Sequence, residues 1–179
     1  MILAALIAFL VIAGLIWSYR RWFILLHDIT NAPESPPEFL SIQRSRWQNS
    51  LQWDEQQRLL QEQHFPELSP LECQQNPATL FMLLSRWCRR HGFTIARDAP
   101  EELRLEATRR FALGLLRQDL AIRILPRRPE GSGVLIRVSL RSGRCDFGSG
   151  IRLIHHLQGL CRINEPGQNV LPLEEESSG

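Results

Sequence analysis

Residues 118–140 read QDLAIRILPRRPEGSGVLIRVSL, and their reading decides the fold class. Leu120, Ile122 and Ile124 recur at every second position, and so do Val134, Ile136 and Val138. A period of two places each apolar set on one side of a pleated strand. The link from Pro126 to Gly133 is dense in turn residues, so the two runs pair as antiparallel neighbours. Upstream, Leu103, Leu105 and Ala107 repeat the pattern ahead of a Gly114-containing turn. Phe93 and Ile95 begin it, ahead of Asp98-Ala99-Pro100. Before these strands the period is helical. Asn76-Pro77 is an N-cap followed by proline at the first helical position, and Leu80, Leu84, Trp87, Cys88 and His91 follow at three-to-four spacing until Gly92. A last amphipathic helix is expected from Asp146 to Leu160. The order implies an α+β, two-layer domain with a four-stranded antiparallel sheet, helices on its apolar face and the second face open.

Four segments are expected along the chain. Residues 1–26 open with MILAALIAFLVIAGLIW, an apolar run that predicts a transmembrane anchor. Seventeen residues span roughly 25 Å as a helix, close to a hydrocarbon core of about 30 Å. Trp17, Tyr19 and Trp22 would supply an aromatic belt, and Arg20 and Arg21 would sit among headgroups. A cleaved signal peptide competes with this reading, but no charged side chain precedes residue 20 and the run ends in bulky residues. The arginine flank places the body of the protein on the cytoplasmic side of a bacterial inner membrane. Residues 27–70 are read as a proline-containing linker (NAPESPP at 31–37) and an amphipathic helix over Ser41 to His64 with a ragged apolar face. Residues 71–163 form the α+β domain, and residues 164–179 an acidic disordered tail.

Composition excludes several chemistries. All 21 basic residues are arginine, so phosphate-loop NTPases, pyridoxal Schiff bases and lysine general bases are out. A formal net charge of +2 argues against nucleic acid as a partner. Cys73, Cys88, Cys145 and Cys161 form neither a zinc pattern nor a dense disulfide framework. His155 and His156 diverge on a helix and cannot share a metal. No metal and no cofactor are expected.

The segment Arg137 to Arg152, RVSLRSGRCDFGSGIR, resembles the signature of the bacterial and plastid domain-of-unknown-function family numbered 1499. Arg137, Arg141, Gly143, Asp146, Phe147 and Gly148 fall on that pattern. SPPEFLSIQ at 35–43 and Gln118-Asp119 through Arg123 agree in order, and the similarity spans roughly residues 33–161. Phe39 stands where members carry an opening cysteine, Gly150 where they carry asparagine, and Val138 and Leu140 where they carry serines. The resemblance supports the fold and implies no reaction.

Strand alternation sends Arg137, Ser139, Arg141, Arg123, Asp119, Arg104 and Glu106 to the second face of the sheet. Arg123, Arg137, Arg141, Gly143, Asp146 and Gly148 are therefore the candidate ligand- or partner-binding residues. Guanidinium groups beside a helix start can take carboxylate or phosphate groups in a bidentate manner. Pairing with Asp119, Glu106 and Asp146 within the sheet is the competing reading. The expected function is a membrane-anchored, non-catalytic binding or assembly module. It would recognise anionic groups or a membrane-protein partner, with the lipid bilayer met through residues 1–26. The alternative is a membrane-associated hydrolase or lipid-modifying enzyme using Cys145, Asp146 and a histidine.

Overall fold

The computed structural model describes residues 26–111, 114–127 and 131–163. Their elements are β1 (Asp28–Thr30), α1 (Glu55–His64), β2 (Leu71–Cys73), α2 (Pro77–Arg90), β3 (Thr94–Ala99), β4 (Arg104–Phe111), β5 (Leu116–Pro126), β6 (Ser132–Leu140) and α3 (Ser149–Ile163). The sheet is antiparallel with the order β1-β6-β5-β4-β3, and β2 also pairs with β6.

This corrects the expected architecture of a transmembrane helix followed by a four-stranded sheet. The sheet has six strands. β1 and β2 share one edge of β6, β1 against Arg137–Ser139 and β2 against Ser132–Val134. Among the described residues no helix is long and apolar enough to cross a membrane, and the membrane and transmembrane reading is withdrawn on that finding. The anchor expected over residues 1–26 lies, Leu26 apart, outside the described residues. Leu26 itself belongs to the folded unit: it is buried, and its carbonyl accepts from the Asp146 N–H at 3.2 Å.

The apolar face was legible in the strand periods. Leu105, Ala107, Leu120, Ile122, Ile124, Val134, Ile136 and Val138 are all buried in one core. α2 covers it over β3, β4 and β5 with Leu80, Phe81, Leu84 and Cys88, and α3 covers β6, β1 and β2 with Leu153, Ile154, Leu157 and Cys161. Each such side chain contributes on the order of 1.5–3 kcal/mol on burial. α2 starts as its sequence requires, with the Asn76 side chain accepting from the Ala78 N–H at 2.9 Å and Pro77 in the first turn.

Residues 27–70 are packed onto the sheet. The helix expected from Ser41 begins only at Glu55, where Asp54 caps it by accepting from the Gln56 N–H. Its buried residues are Gln57 and Gln61, which explains the ragged apolar pattern. Gln61 completes the free edge of β1: its Oε1 accepts from the Thr30 N–H at 2.9 Å and its Nε2 donates to the Thr30 carbonyl at 2.6 Å. Gln57 Oε1 accepts from the His27 N–H at 3.0 Å. Beyond β1 the side chain of Asn31 continues the ladder, donating to the Val134 carbonyl at 2.9 Å and accepting from the Ile136 N–H at 2.7 Å. Buried edge groups are thus satisfied without a further strand.

The second face, expected to be open, is covered. Residues 31–53 run across it as an irregular strap. Glu106, 2% exposed, accepts from the backbone N–H groups of Leu40, Ser41 and Ile42 at 2.8–3.2 Å. A carboxylate seated against successive N–H groups is a stable arrangement in a site shielded from water.

Candidate anion site

Beneath the strap the expected arginine face becomes an internal charged layer. Arg137, 2% exposed, clasps Asp28 through Nε at 3.0 Å and Nη2 at 2.7 Å. It also donates to the carbonyls of Pro37 and Leu51 and lies between the rings of Phe39 and Trp53. Burial pushes the Asp28 carboxyl above its ordinary range, and the Arg137 contacts oppose that shift. Asp119, with no exposed side-chain surface, sits between Arg44 at 2.9 Å and Arg141 at 3.0 Å. The layer therefore opposes Asp28, Glu106 and Asp119 to Arg44, Arg137 and Arg141, three charges of each sign.

The other expected site residues are dispersed. Arg123 is half-buried opposite Arg104 and Leu135, and neither arginine has an ion pair among the described residues. Gly143 and Gly148 carry φ of 94° and 71°, values that glycine adopts without steric cost, and the Gly143 carbonyl accepts from Asn49. Asp146 caps α3, accepting from the Gly148 N–H at 2.8 Å and the Gly150 N–H at 2.6 Å. Its pKa is raised by burial, with the two backbone bonds pulling the other way. Gly150 has to be small, since a Cβ there would stand 2.6 Å from both Asp146 Oδ2 and Ile29 Cγ2. The turn is consequently built for helix entry. Among the described residues no histidine bonds Cys145 or Asp146, and Cys145 Sγ accepts from the Phe147 N–H.

A different group of arginines meets at the far end of the second face. The β4–β5 register sets Arg110 opposite Arg117 and Thr108 opposite Asp119, and the β3–β4 register sets Thr94 opposite Thr108. The Arg141 N–H donates to the Arg117 carbonyl at 2.9 Å, which brings the end of β6 to the same place. Gly92, Thr94, Thr108, Arg109, Arg110, Arg117 and Arg141 line a cavity of about 450 Å³ there. Arg109 comes from the opposite face of β4, where its Nε donates to Gln118 Oε1 at 3.0 Å and its guanidinium lies over Phe93. Burial lowers its pKa. The Thr108 hydroxyl donates to the Gln118 carbonyl at 3.3 Å.

Among the described residues no carboxylate lines this cavity. Among the described residues Arg110 and Arg117 have no ion pair and are exposed. Like charges directly opposite one another in a sheet destabilise it. In the internal layer Arg137 pairs with Asp28, Arg44 and Arg141 share Asp119, and Glu106 is held by backbone N–H groups; the outer pair repels itself. Of the sequence-derived candidates only Arg141 belongs to the cavity. Arg110 and Arg117 escaped sequence reasoning although their signal was present: both flank the Gly114 turn at positions that a tight hairpin brings into register. Compared with protein-family models, curated proteins and solved structures, the chain has no match.

Proposed function

We propose that the chain is a non-catalytic binding or assembly module that recognises an anionic group through the Arg110–Arg117–Arg141 cavity. The observation that carries this reading is a cavity of about 450 Å³ lined, among the described residues, by four arginines and no carboxylate. That volume falls in the range of small-molecule sites, and guanidinium forks match the oxygens of carboxylate and phosphate. On this reading the segment that resembles family 1499 is architectural: Arg137 clasps Asp28, Gly143 turns the chain and Asp146 caps α3. The residues that meet the ligand lie mostly outside it.

Thermal unfolding in the presence of phosphate, citrate and acetate tests the proposal, since a ligand bound only by the folded state raises the melting temperature. At least one anion should stabilise the protein, with an effect that shrinks as sodium chloride is added. Replacing both outer arginines (Arg110→Gln, Arg117→Gln) should abolish it while leaving the unliganded melting temperature unchanged or slightly raised. Stabilisation that persists in this variant, or none with any anion, rejects the reading.

A further inference from the structure

The cavity's charge and donor pattern narrow the ligand further, given the anion-binding reading above. Arg44, Arg137 and Arg141 are balanced by Asp28, Asp119 and Glu106 in the buried layer. Among the described residues the cavity's uncompensated charges are therefore those of Arg109, held on the opposite face of β4 by Gln118 and Phe93, and of the exposed cross-strand pair Arg110 and Arg117, whose two positive charges lie side by side on the second face. A monocarboxylate would neutralise one and leave the other facing its neighbour. A phosphate monoester carries between −1.5 and −2 at neutral pH and presents three acceptor oxygens. The wall adds one more donor of the right kind. The Thr108 hydroxyl is already committed to the Gln118 carbonyl, but Thr94 has no hydrogen-bond partner for its hydroxyl among the described residues. Arg141 is anchored through Nε to both oxygens of Asp119, which fixes its plane. Beyond a phosphoryl group, a cavity of about 450 Å³ leaves room for the small molecule that bears it.

We infer that the cavity takes a doubly charged phosphate group, carried as the monoester of a small molecule, with Arg110 and Arg117 as its two principal counter-charges and Thr94 and Arg141 as further donors. A free phosphate ion shares that chemistry, and the test separates the two sources. Isothermal titration of the full chain compares phenyl phosphate, inorganic phosphate and benzoate, which between them vary the charge and the organic group. Phenyl phosphate should bind about tenfold or more tightly than benzoate, because only the dianion engages both forks. It should also bind more tightly than inorganic phosphate, because the ring occupies the remaining volume. Its affinity should rise between about pH 5 and about pH 7.5, following the second ionisation of the phosphate near 6. The Arg110→Gln/Arg117→Gln variant should lose most of this binding, and Thr94→Val a smaller part.

Equal binding of phenyl phosphate and benzoate, both lost in the double variant, overturns the dianion assignment and leaves the anion reading standing. Inorganic phosphate binding as tightly as phenyl phosphate overturns the ester and leaves a phosphate site. Absence of all binding, or binding that the double variant retains, overturns the assignment together with the reading it rests on. The comparison of ligands on the unmodified chain decides the matter even if the double variant fails to fold.

Discussion

At the scale of single residues, the arginines divide by what they cost when removed. Arg137 is buried against Asp28, and taking away one partner of such a pair leaves an uncompensated charge. Arg137→Met should therefore destabilise the protein by about 3–5 kcal/mol in urea unfolding, while Asp28→Asn/Arg137→Met together should lose markedly less. Equal losses in the single and double variants would contradict the clasp. His27 gives a second residue-scale expectation. Burial holds its pKa below the ordinary 6.5, against the pull of Asp28 and Asp54 and with help from Arg44 and Arg137. A lowered folded pKa means the unfolded chain binds more protons. The stabilising contribution is complete above about pH 6.5 and is lost as the pH falls through that value toward the folded one. Asp28 and Asp146 have the opposite sign, because their raised pKa values favour the protonated folded form between 3.8 and the shifted value. His27→Gln should accordingly flatten the stability profile just below pH 6.5 and leave the more acidic limb unchanged. A slope there identical to that of the parent protein would remove His27 from the account. Cys88 and Cys161, pushed up to about 12 by burial, should stay unreactive toward alkylating reagents in the folded protein at neutral pH.

At the scale of elements, the distinctive device is α1, a short helix that docks by glutamine amides instead of an apolar stripe. Gln61 serves both the N–H and the carbonyl of Thr30, so Gln61→Ala strands two backbone groups at the edge of β1. The expected cost is about 2–4 kcal/mol, at 1–3 kcal/mol for each group left unsatisfied, tempered by water entering the gap. Hydrogen exchange should show the Thr30 amide losing protection first, with β4 and β5 unaffected. The same residues show which parts of the fold were legible in the chain. β4, β5, β6 and α2 were readable because each carries a long periodic run with its apolar residues on one buried face. β1 and β2, with the sequences DIT and LEC, are three residues each and carry no measurable period. Their place is set by the free edge of β6 and by Asn31 bridging the gap between them, neither of which a local window can see. The helix expected from Ser41 was too long because Trp53 is apolar for another reason: its ring lies against Arg137 from the strap, where the Leu51 carbonyl also accepts from the guanidinium. Periodicity finds faces. It does not find edges or straps.

At the scale of the whole molecule, one carboxylate joins the parts. Asp119 on β5 holds Arg44 from the strap and Arg141 from β6, and Arg141 in turn lines the arginine cavity. Strand alternation correctly sent Arg137, Arg141 and Asp119 to the second face, but it could not show that the strap would seal that face. The candidate site consequently shifted to the end that the strap leaves uncovered. This arrangement makes stability and recognition depend on Asp119 with opposite signs. Asp119→Asn leaves the buried side chain of Arg44 and the half-buried one of Arg141 without their counter-ion, so the protein should lose about 3–5 kcal/mol of stability, the strap releasing with it. The same change removes the negative charge held against Arg141 and frees that arginine to turn toward a ligand. Phosphate should then raise the melting temperature of Asp119→Asn by more than it raises that of the parent protein, even though the starting temperature is lower. The gain should shrink as sodium chloride is added, as expected of charges at an exposed cavity. Thermal unfolding with and without phosphate, on both proteins, measures the two effects separately. A variant that is less stable but gains no extra stabilisation from phosphate would show that the carboxylate serves the strap alone.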